Sequence, residues 1–129
     1  MEFVSTDLAG VAVVRMTPIE DERGYFARTW CRDEFVDAGI DVDWVQSNVG
    51  VSEHPNTLRG MHFQTGVDAE FKLVRCTRGR VFDVAIDLRP DSESYLDWYG
   101  LELADDGRVS LLVPPGCAHG YRTLLPWTQ

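Results

Sequence analysis

The chain alternates short apolar segments with turns rich in Gly, Pro, Asp and Asn. The apolar segments contain many Val, Ile, Phe, Tyr and Trp residues, which is typical of β-strands. One short helix is predicted over 32–38, with Gly39 placed to end it. Short strands at close spacing predict one all-β domain over residues 1–129, a sandwich or barrel. The predicted strands cover 10–16, 25–30, 43–51, 58–64, 71–76, 81–88, 95–103, 109–113 and 117–125.

The clearest local unit is a predicted hairpin, in which 71–76 and 81–88 flank Thr77-Arg78-Gly79-Arg80. It would place Lys72 and Asp83 near opposite positions on paired strands, where unlike charges can pair. Side chains alternate between the two faces of a strand. Along 81–88 the larger apolar residues therefore share one face, and we expect the other face to line a cavity with Asp83, Ala85 and Asp87.

Composition excludes several classes of protein. Of the 129 residues, 44% are hydrophobic and 26% are charged, which is typical of a globular chain. The formal net charge of −9 disfavours nucleic acid and anionic membranes as partners. Arginines concentrated in the first two-thirds could still bind a small anionic ligand. No apolar run approaches the ~18 residues of a membrane helix, and no signal-peptide pattern is visible at the N-terminus.

Three cysteines, Cys31, Cys76 and Cys117, lie far apart in the sequence without a CxxC pair. An odd number at such spacing favours reduced thiols that pack as small hydrophobic side chains. Reduced thiols are typical of cytoplasmic proteins. We therefore expect a cytoplasmic protein.

His62, Lys72 and Asp83 stand inside segments that otherwise look like apolar strands. Burying a charge without a partner is costly, so such residues are uncommon in strand interiors. Each alone is compatible with a surface lysine, a capping aspartate or a hydrogen-bonded core histidine. Together they predict a pocket in which titratable groups face one another and carry out acid–base chemistry.

The segment Pro114-Pro115-Gly116-Cys117-Ala118-His119 fits P-x-G-x-x-H, the second signature of the cupin jelly rolls. The first signature usually carries H-x-H, whereas this chain has His62-Phe63-Gln64. Two histidines are a poor metal set, since stable sites usually have three or more protein ligands. The sequence therefore predicts no metal, and a metal-dependent cupin is the alternative.

From about residue 3 to residue 124 the chain resembles the dTDP-4-dehydrorhamnose 3,5-epimerases, metal-free cupins of deoxysugar biosynthesis. The resemblance implies an all-β double-stranded β-helix, a nucleotide-sugar substrate, no cofactor and a homodimer. The matching segments are Asp21 to Phe26, Gln46 to Asn48, Leu58 to Gln64, Lys72 to Cys76, Gly79 to Arg89 and Pro115 to Tyr121.

The resemblance also implies roles for individual residues. His62 matches the general base that removes a proton beside the sugar ketone. Lys72 matches the residue that stabilises the enolate oxygen, and Asp83 matches its acidic neighbour. A 4-keto group acidifies the hydrogens at C3 and C5, and a neutral imidazole is a suitable base for them. The expected activity is inversion of C3 and/or C5 of a dTDP-4-keto-6-deoxyhexose, as in dTDP-rhamnose biosynthesis.

Five further residues match substrate-binding positions of the family. Arg59 and His119 match groups near the diphosphate and the sugar, and Gln46 matches another pocket residue. Arg23 and Phe26 match residues that reach across a dimer interface to hold the nucleotide. Arginine forks of this kind can clamp a diphosphate through paired hydrogen bonds.

The family sequence continues past the position of Gln129. Its further part carries a tyrosine that reprotonates the opposite face of the sugar, and an aspartate that orients the base. Neither residue has a counterpart in this chain, so two alternatives remain open: a catalytically impaired nucleotide-sugar-binding relative, or a truncated fragment. A jelly roll without its closing strands would also leave an exposed sheet edge.

Overall fold

Two antiparallel sheets of four strands each face one another in the computed structural model, which describes residues 1–129. In chain order the elements are β1 (Glu2–Ser5), β2 (Ala12–Arg15), β3 (Ile19–Asp21), β4 (Gly24–Phe26), α1 (Arg32–Asp37), β5 (Leu58–His62), a 3-10 turn (Gly66–Asp68), β6 (Lys72–Val74), β7 (Arg80–Asp87), β8 (Trp98–Ala104), β9 (Val109–Val113) and β10 (Cys117–Thr123).

The first sheet has the strand order β1-β2-β9-β6, and the second has the order β5-β10-β7-β8. A separate two-stranded hairpin joins β3 to β4. The inner faces of the two sheets enclose the main core, because alternate side chains of each strand point to the same side. This core contains Leu8, Val11, Cys76, Val81, Ala85, Leu103, Leu111, Val113 and Cys117.

The helix α1 covers the outer face of the first sheet. Its buried residue Phe35 packs edge-on against Phe3, with ring centroids 4.9 Å apart, and also contacts Trp44. Gly39 ends the helix at φ +81°, a left-handed conformation that glycine adopts without a steric penalty. α1 contains six residues, and the structure contains no helix long and apolar enough to cross a membrane.

The all-β prediction with one short helix near 32–38 is confirmed, but the strand predicted over 43–51 is wrong. That segment forms no strand, and most of its side chains are exposed. Trp44 is its half-buried anchor, packed against Phe35. The backbone has no strand partner there, so β propensity alone does not produce a strand.

The predicted hairpin of 71–76 with 81–88 is also wrong. β6 pairs with β9 in the first sheet, whereas β7 pairs with β8 and β10 in the second. Val74, Cys76 and Val81 all contact the same core. The connection therefore crosses between sheets, because facing sheets bury these apolar side chains against each other.

Candidate active site

The inner face of the second sheet presents two histidines side by side. His62 on β5 lies directly opposite His119 on β10, and His119 lies opposite Ala85 on β7. The two imidazole centroids are 6.4 Å apart. His119 is buried, whereas His62 is exposed at the end of an edge strand. We call the space bounded by His62, His119, Asp83 and Lys72 the cup.

A close contact between two glycines sets the spacing of β5 and β10. Gly60 has φ +109°, and a Cβ there would lie 2.7 Å from the Cα of Gly120. A Cβ at Gly120 would in turn lie 2.9 Å from the carbonyl oxygen of Arg59. The strand register shifts at this point, between His119 and Tyr121. Glycine is required because any side chain would push the strands apart.

Asp83 holds the imidazole of His119 through a hydrogen bond. Its side chain is fully buried, and its Oδ1 lies 3.0 Å from Nδ1 of His119. Its Oδ2 is buried without a hydrogen-bond partner. Burial raises the pKa of the Asp83 carboxyl, although the hydrogen bond and charge of His119 oppose that rise. The contact with Asp83 therefore orients the imidazole of His119.

Lys72 approaches the cup from the first sheet. It shares a strand face with Val74, which packs against the inner core, and it lies opposite Val113 on β9. Its Nζ donates a hydrogen bond to Oε1 of Glu70 at 2.5 Å, and its side chain is 20% exposed. The contact with Lys72 is the main reason that the pKa of the Glu70 carboxyl is lowered.

The expected pairing of Lys72 with Asp83 is therefore wrong. The two residues lie on strands of different sheets, so each finds another partner: Glu70 for Lys72, and His119 for Asp83. Sequence reasoning missed Glu70. The available signal was its spacing, since residues i and i+2 of an extended segment point to the same side.

Arg59 lies at the side of the cup. It is exposed, its Nε donates to Oγ of Ser52 at 3.1 Å, and its Nη2 donates to the carbonyl oxygen of Val51 at 3.0 Å. Tyr121, opposite Arg59 on β10, has its hydroxyl 3.4 Å from the position a Cβ would take at Gly50. Residues 50–52 therefore run along the same side of the cup.

Three predicted binding residues are not drawn into the cup of this chain. Gln46 is exposed in the irregular segment before residue 50 and forms no side-chain hydrogen bond. Arg23 and Phe26 lie on the β3–β4 hairpin, where Phe26 is 76% exposed. The guanidinium of Arg23 bonds to Asp21 within the same hairpin.

A metal centre and a separate cavity are the alternatives to the cup. No three His, Cys, Asp or Glu side chains gather closely enough to hold a metal ion. A cavity of about 580 Å³ lies next to the end of β5, and its walls include Phe63, Gln64, Ala69 and Arg89. None of the four residues that define the cup lines this cavity.

Comparison with known proteins places the chain in one family. The family model of dTDP-4-dehydrorhamnose 3,5-epimerase matches residues 5–129. The chain belongs to this family. It is 41% identical over 122 residues to the dTDP-4-dehydrorhamnose 3,5-epimerase of Methanothermobacter thermautotrophicus, covering 95% of this chain and 65% of that protein. The chain thus spans about two thirds of the length of that epimerase.

Solved epimerase structures have the same fold. The enzyme from Elizabethkingia anophelis superposes with a TM-score of 0.95 at 40% identity, over 99% of this chain and 70% of that one. The enzyme from Bacillus anthracis, solved with TDP and PPi bound, gives 0.94 at 35% identity, over 98% and 73%. The cupin jelly roll expected from the sequence is confirmed by these neighbours.

Proposed function

We propose that this chain catalyses epimerisation of a dTDP-4-keto-6-deoxyhexose at C3 and/or C5, as in dTDP-rhamnose biosynthesis. The observation that carries the proposal is the pair of imidazoles of His62 and His119 on the inner face of one sheet, with Lys72 on the inner face of the other, in a chain of the epimerase family. An imidazole and a cation are the groups needed to remove an acidic C–H proton and stabilise the resulting enolate.

In the proposed reaction His62 removes the proton from the carbon beside the ketone. The C–H electron pair forms a C=C bond to the carbonyl carbon, and the π electrons of the ketone move to its oxygen, which becomes an enolate oxygen. The ammonium of Lys72 stabilises that negative charge, as an oxyanion-hole donor does. Transfer of a proton from a solvent water molecule to the opposite face of the carbon completes the inversion, and His62 releases its proton to solvent. Asp83 acts through His119, whose imidazole it orients beside His62.

Substrate binding is proposed to use the arginine beside the cup. The Nη1 of Arg59 forms no hydrogen bond within the protein, so it is free for a diphosphate oxygen. His119 would contact the sugar, and the exposed Gln46 would contact a part of the substrate that extends beyond the cup. The Bacillus anthracis relative was solved with TDP and PPi bound, which supports a nucleotide-linked substrate.

A homodimer is part of the proposal. The exposed hairpin with Arg23 and Phe26 would insert into the partner's site and hold the nucleotide. An aromatic side chain that is 76% exposed on a short hairpin supports this role, since burying it against a base or a partner is favourable.

The first test is incorporation of solvent deuterium into dTDP-4-keto-6-deoxyglucose. His62→Asn should lower the exchange rate about 10²–10⁴-fold, the usual contribution of a general base. His54→Asn is the matched control, because the His54 side chain is exposed and forms no hydrogen bond. Equal rates for wild type and His62→Asn would contradict the proposal.

The second candidate is a nucleotide-sugar-binding relative with impaired catalysis. It is favoured by the imidazole of His62, which has no carboxylate partner because Asp83 is bonded to His119 instead. Binding of the sugar nucleotide measured by calorimetry, without deuterium exchange, would support this candidate. Exchange without net inversion would instead show that proton removal works and that proton return from the opposite face does not.

A further inference from the structure

One carboxylate contacts both the residue that begins β6 and the segment that follows β5. Oε1 of Glu70 accepts hydrogen bonds from Nζ of Lys72 at 2.5 Å and from Nε2 of Gln64 at 3.0 Å. Lys72 begins β6 of the first sheet, and Gln64 lies two residues after His62, the last residue of β5 in the second sheet. Within the connection from β5 to β6, the single oxygen therefore links the first residue of β6 to the segment that follows His62.

We propose that Glu70 is a positioning residue, which holds the Lys72 ammonium in the cup and ties it to the chain segment that carries His62. This inference rests on the proposed function, in which Lys72 stabilises the enolate. A lysine side chain is long and flexible, so an unrestrained ammonium would sample many positions. The Glu70 contact selects one of them.

The charges around Lys72 leave Glu70 as its acidic partner. Asp83, the other acid of the cup, is engaged with His119, and Asp87 is engaged with Arg89 and two serines. Lys72 forms no ion pair other than the one with Glu70. Glu70 is therefore the acid that holds the ammonium before a substrate arrives.

The partial exposure of Glu70 separates this role from a merely structural one. Its side chain is 36% exposed, and ion pairs at such positions contribute little to folding stability. Removing the carboxylate should therefore leave the fold intact. A positioning role predicts a kinetic effect without unfolding.

The contact can be tested independently of activity, because Lys72 is the only lysine in the chain. Protein labelled with ¹³C at lysine Cε gives one side-chain NMR signal. In Glu70→Ala the Cε order parameter should fall clearly, whereas Glu70→Gln should keep it, since an amide oxygen can also accept both hydrogen bonds. Asp68→Ala is the matched control, an exposed acid two residues away without a side-chain hydrogen bond. An unchanged order parameter in Glu70→Ala would overturn the proposal.

The catalytic consequence is tested by deuterium exchange with the same variants. Glu70→Ala should lower kcat about tenfold with KM changed less than about twofold, and Glu70→Gln should recover most of the loss. In a Lys72→Met background, Glu70→Ala should cause no further loss. An equal loss in that background, or a change confined to KM, would overturn the positioning role.

The NMR and exchange experiments also distinguish failure of this inference from failure of the proposed function. If wild-type protein shows no exchange, the proposed function fails and the catalytic role of Glu70 fails with it, while the NMR arm still decides the contact. If exchange occurs and Glu70→Ala leaves kcat unchanged, only the inference about Glu70 is overturned.

Discussion

Asp83 and Asp87 lie four residues apart on the same face of β7, and both are fully buried. Asp87 is held on both oxygens: Oδ1 accepts from the backbone and Nε of Arg89, and Oδ2 accepts from Nη2 of Arg89, Ser92 and Ser94. Asp83 has His119 as its side-chain partner and one oxygen without any. The pKa of Asp87 is lowered, chiefly by Arg89, while burial raises the pKa of Asp83.

The comparison shows that burial does not by itself decide what an acid does. A fully paired carboxylate is stabilised as the anion and fixes the turn that follows its strand. A carboxylate with one partner remains poorly solvated, and its charge acts mainly on that partner. Asp87 is therefore interpreted as structural, and Asp83 as a group that acts through His119.

The largest expected effect is a loss of stability when the charge of Asp87, the structural aspartate, is removed. Asp87→Asn leaves the half-buried Arg89 without its counter-ion and should lower the free energy of unfolding by about 3–5 kcal/mol, as for other broken buried pairs. Urea denaturation monitored by circular dichroism measures the change. Glu102→Gln, which breaks an exposed pair with Arg80, should cost at most about 1 kcal/mol. Similar losses of stability in both variants would contradict the interpretation of Asp87 as a structural residue.

Asp83→Asn should instead change the exchange rate and leave the stability nearly unchanged. The amide oxygen can still accept from His119, and removing a poorly solvated charge should leave the free energy of unfolding within about 1 kcal/mol of wild type. The exchange rate should fall about 10–100-fold, equal to about 1.4–2.7 kcal/mol, because the charge beside the imidazole is lost. The comparison would be reversed if this variant unfolded while retaining wild-type exchange.

The smallest expected effect is a difference in pH dependence. Because the pKa of Asp87 is lowered, its contribution to stability is present above the unfolded value of 3.8 and is lost as pH falls below it. Because the pKa of Asp83 is raised, its contribution is present below 3.8 and is lost as pH rises through its folded value. A tenfold difference in proton affinity between the folded and unfolded chain corresponds to about 1.4 kcal/mol of stability.

These two pH dependences are separated by difference curves from urea denaturation between acidic and neutral pH. Subtracting Asp87→Asn from wild type should give a difference in stability that shrinks as the solution becomes more acidic. Subtracting Asp83→Asn should give a difference that changes in favour of the variant as pH rises above about 4. Two difference curves that change in the same direction would show that the aspartates are equivalent.

Local patterns were enough to predict much of the fold, including the strands that carry His62 and His119. Alternation along 81–88 correctly placed Asp83, Ala85 and Asp87 on one face, and Gly39 correctly marked the end of the helix. The prediction that this face lines a cavity is wrong in part, because Ala85 packs in the main core and both aspartates are fully buried. The pairing of β6 with β9 could not be predicted locally, because it joins Lys72 to a residue about forty positions away, Val113.

The site was predicted less completely for the same reason. The residues were identified by motif, but the partners of Lys72 and Asp83 depend on which sheet each strand joins. The bond between Asp83 and His119 spans 36 positions, whereas Glu70 is two residues from Lys72 and was within reach of strand periodicity. The cation–π contact of Arg108 over Tyr25 is likewise long-range and had no local signal.

The contact between Gly60 and Gly120 has a consequence for the width of the cup. Two hydrogen atoms, rather than any packed side chain, determine how near the two imidazoles stand. A methyl group added at either position would act as a wedge between β5 and β10 and widen the gap that a sugar ring must span. Gly60 and Gly120 therefore determine the distance between the imidazoles of His62 and His119, although neither glycine contributes a functional group.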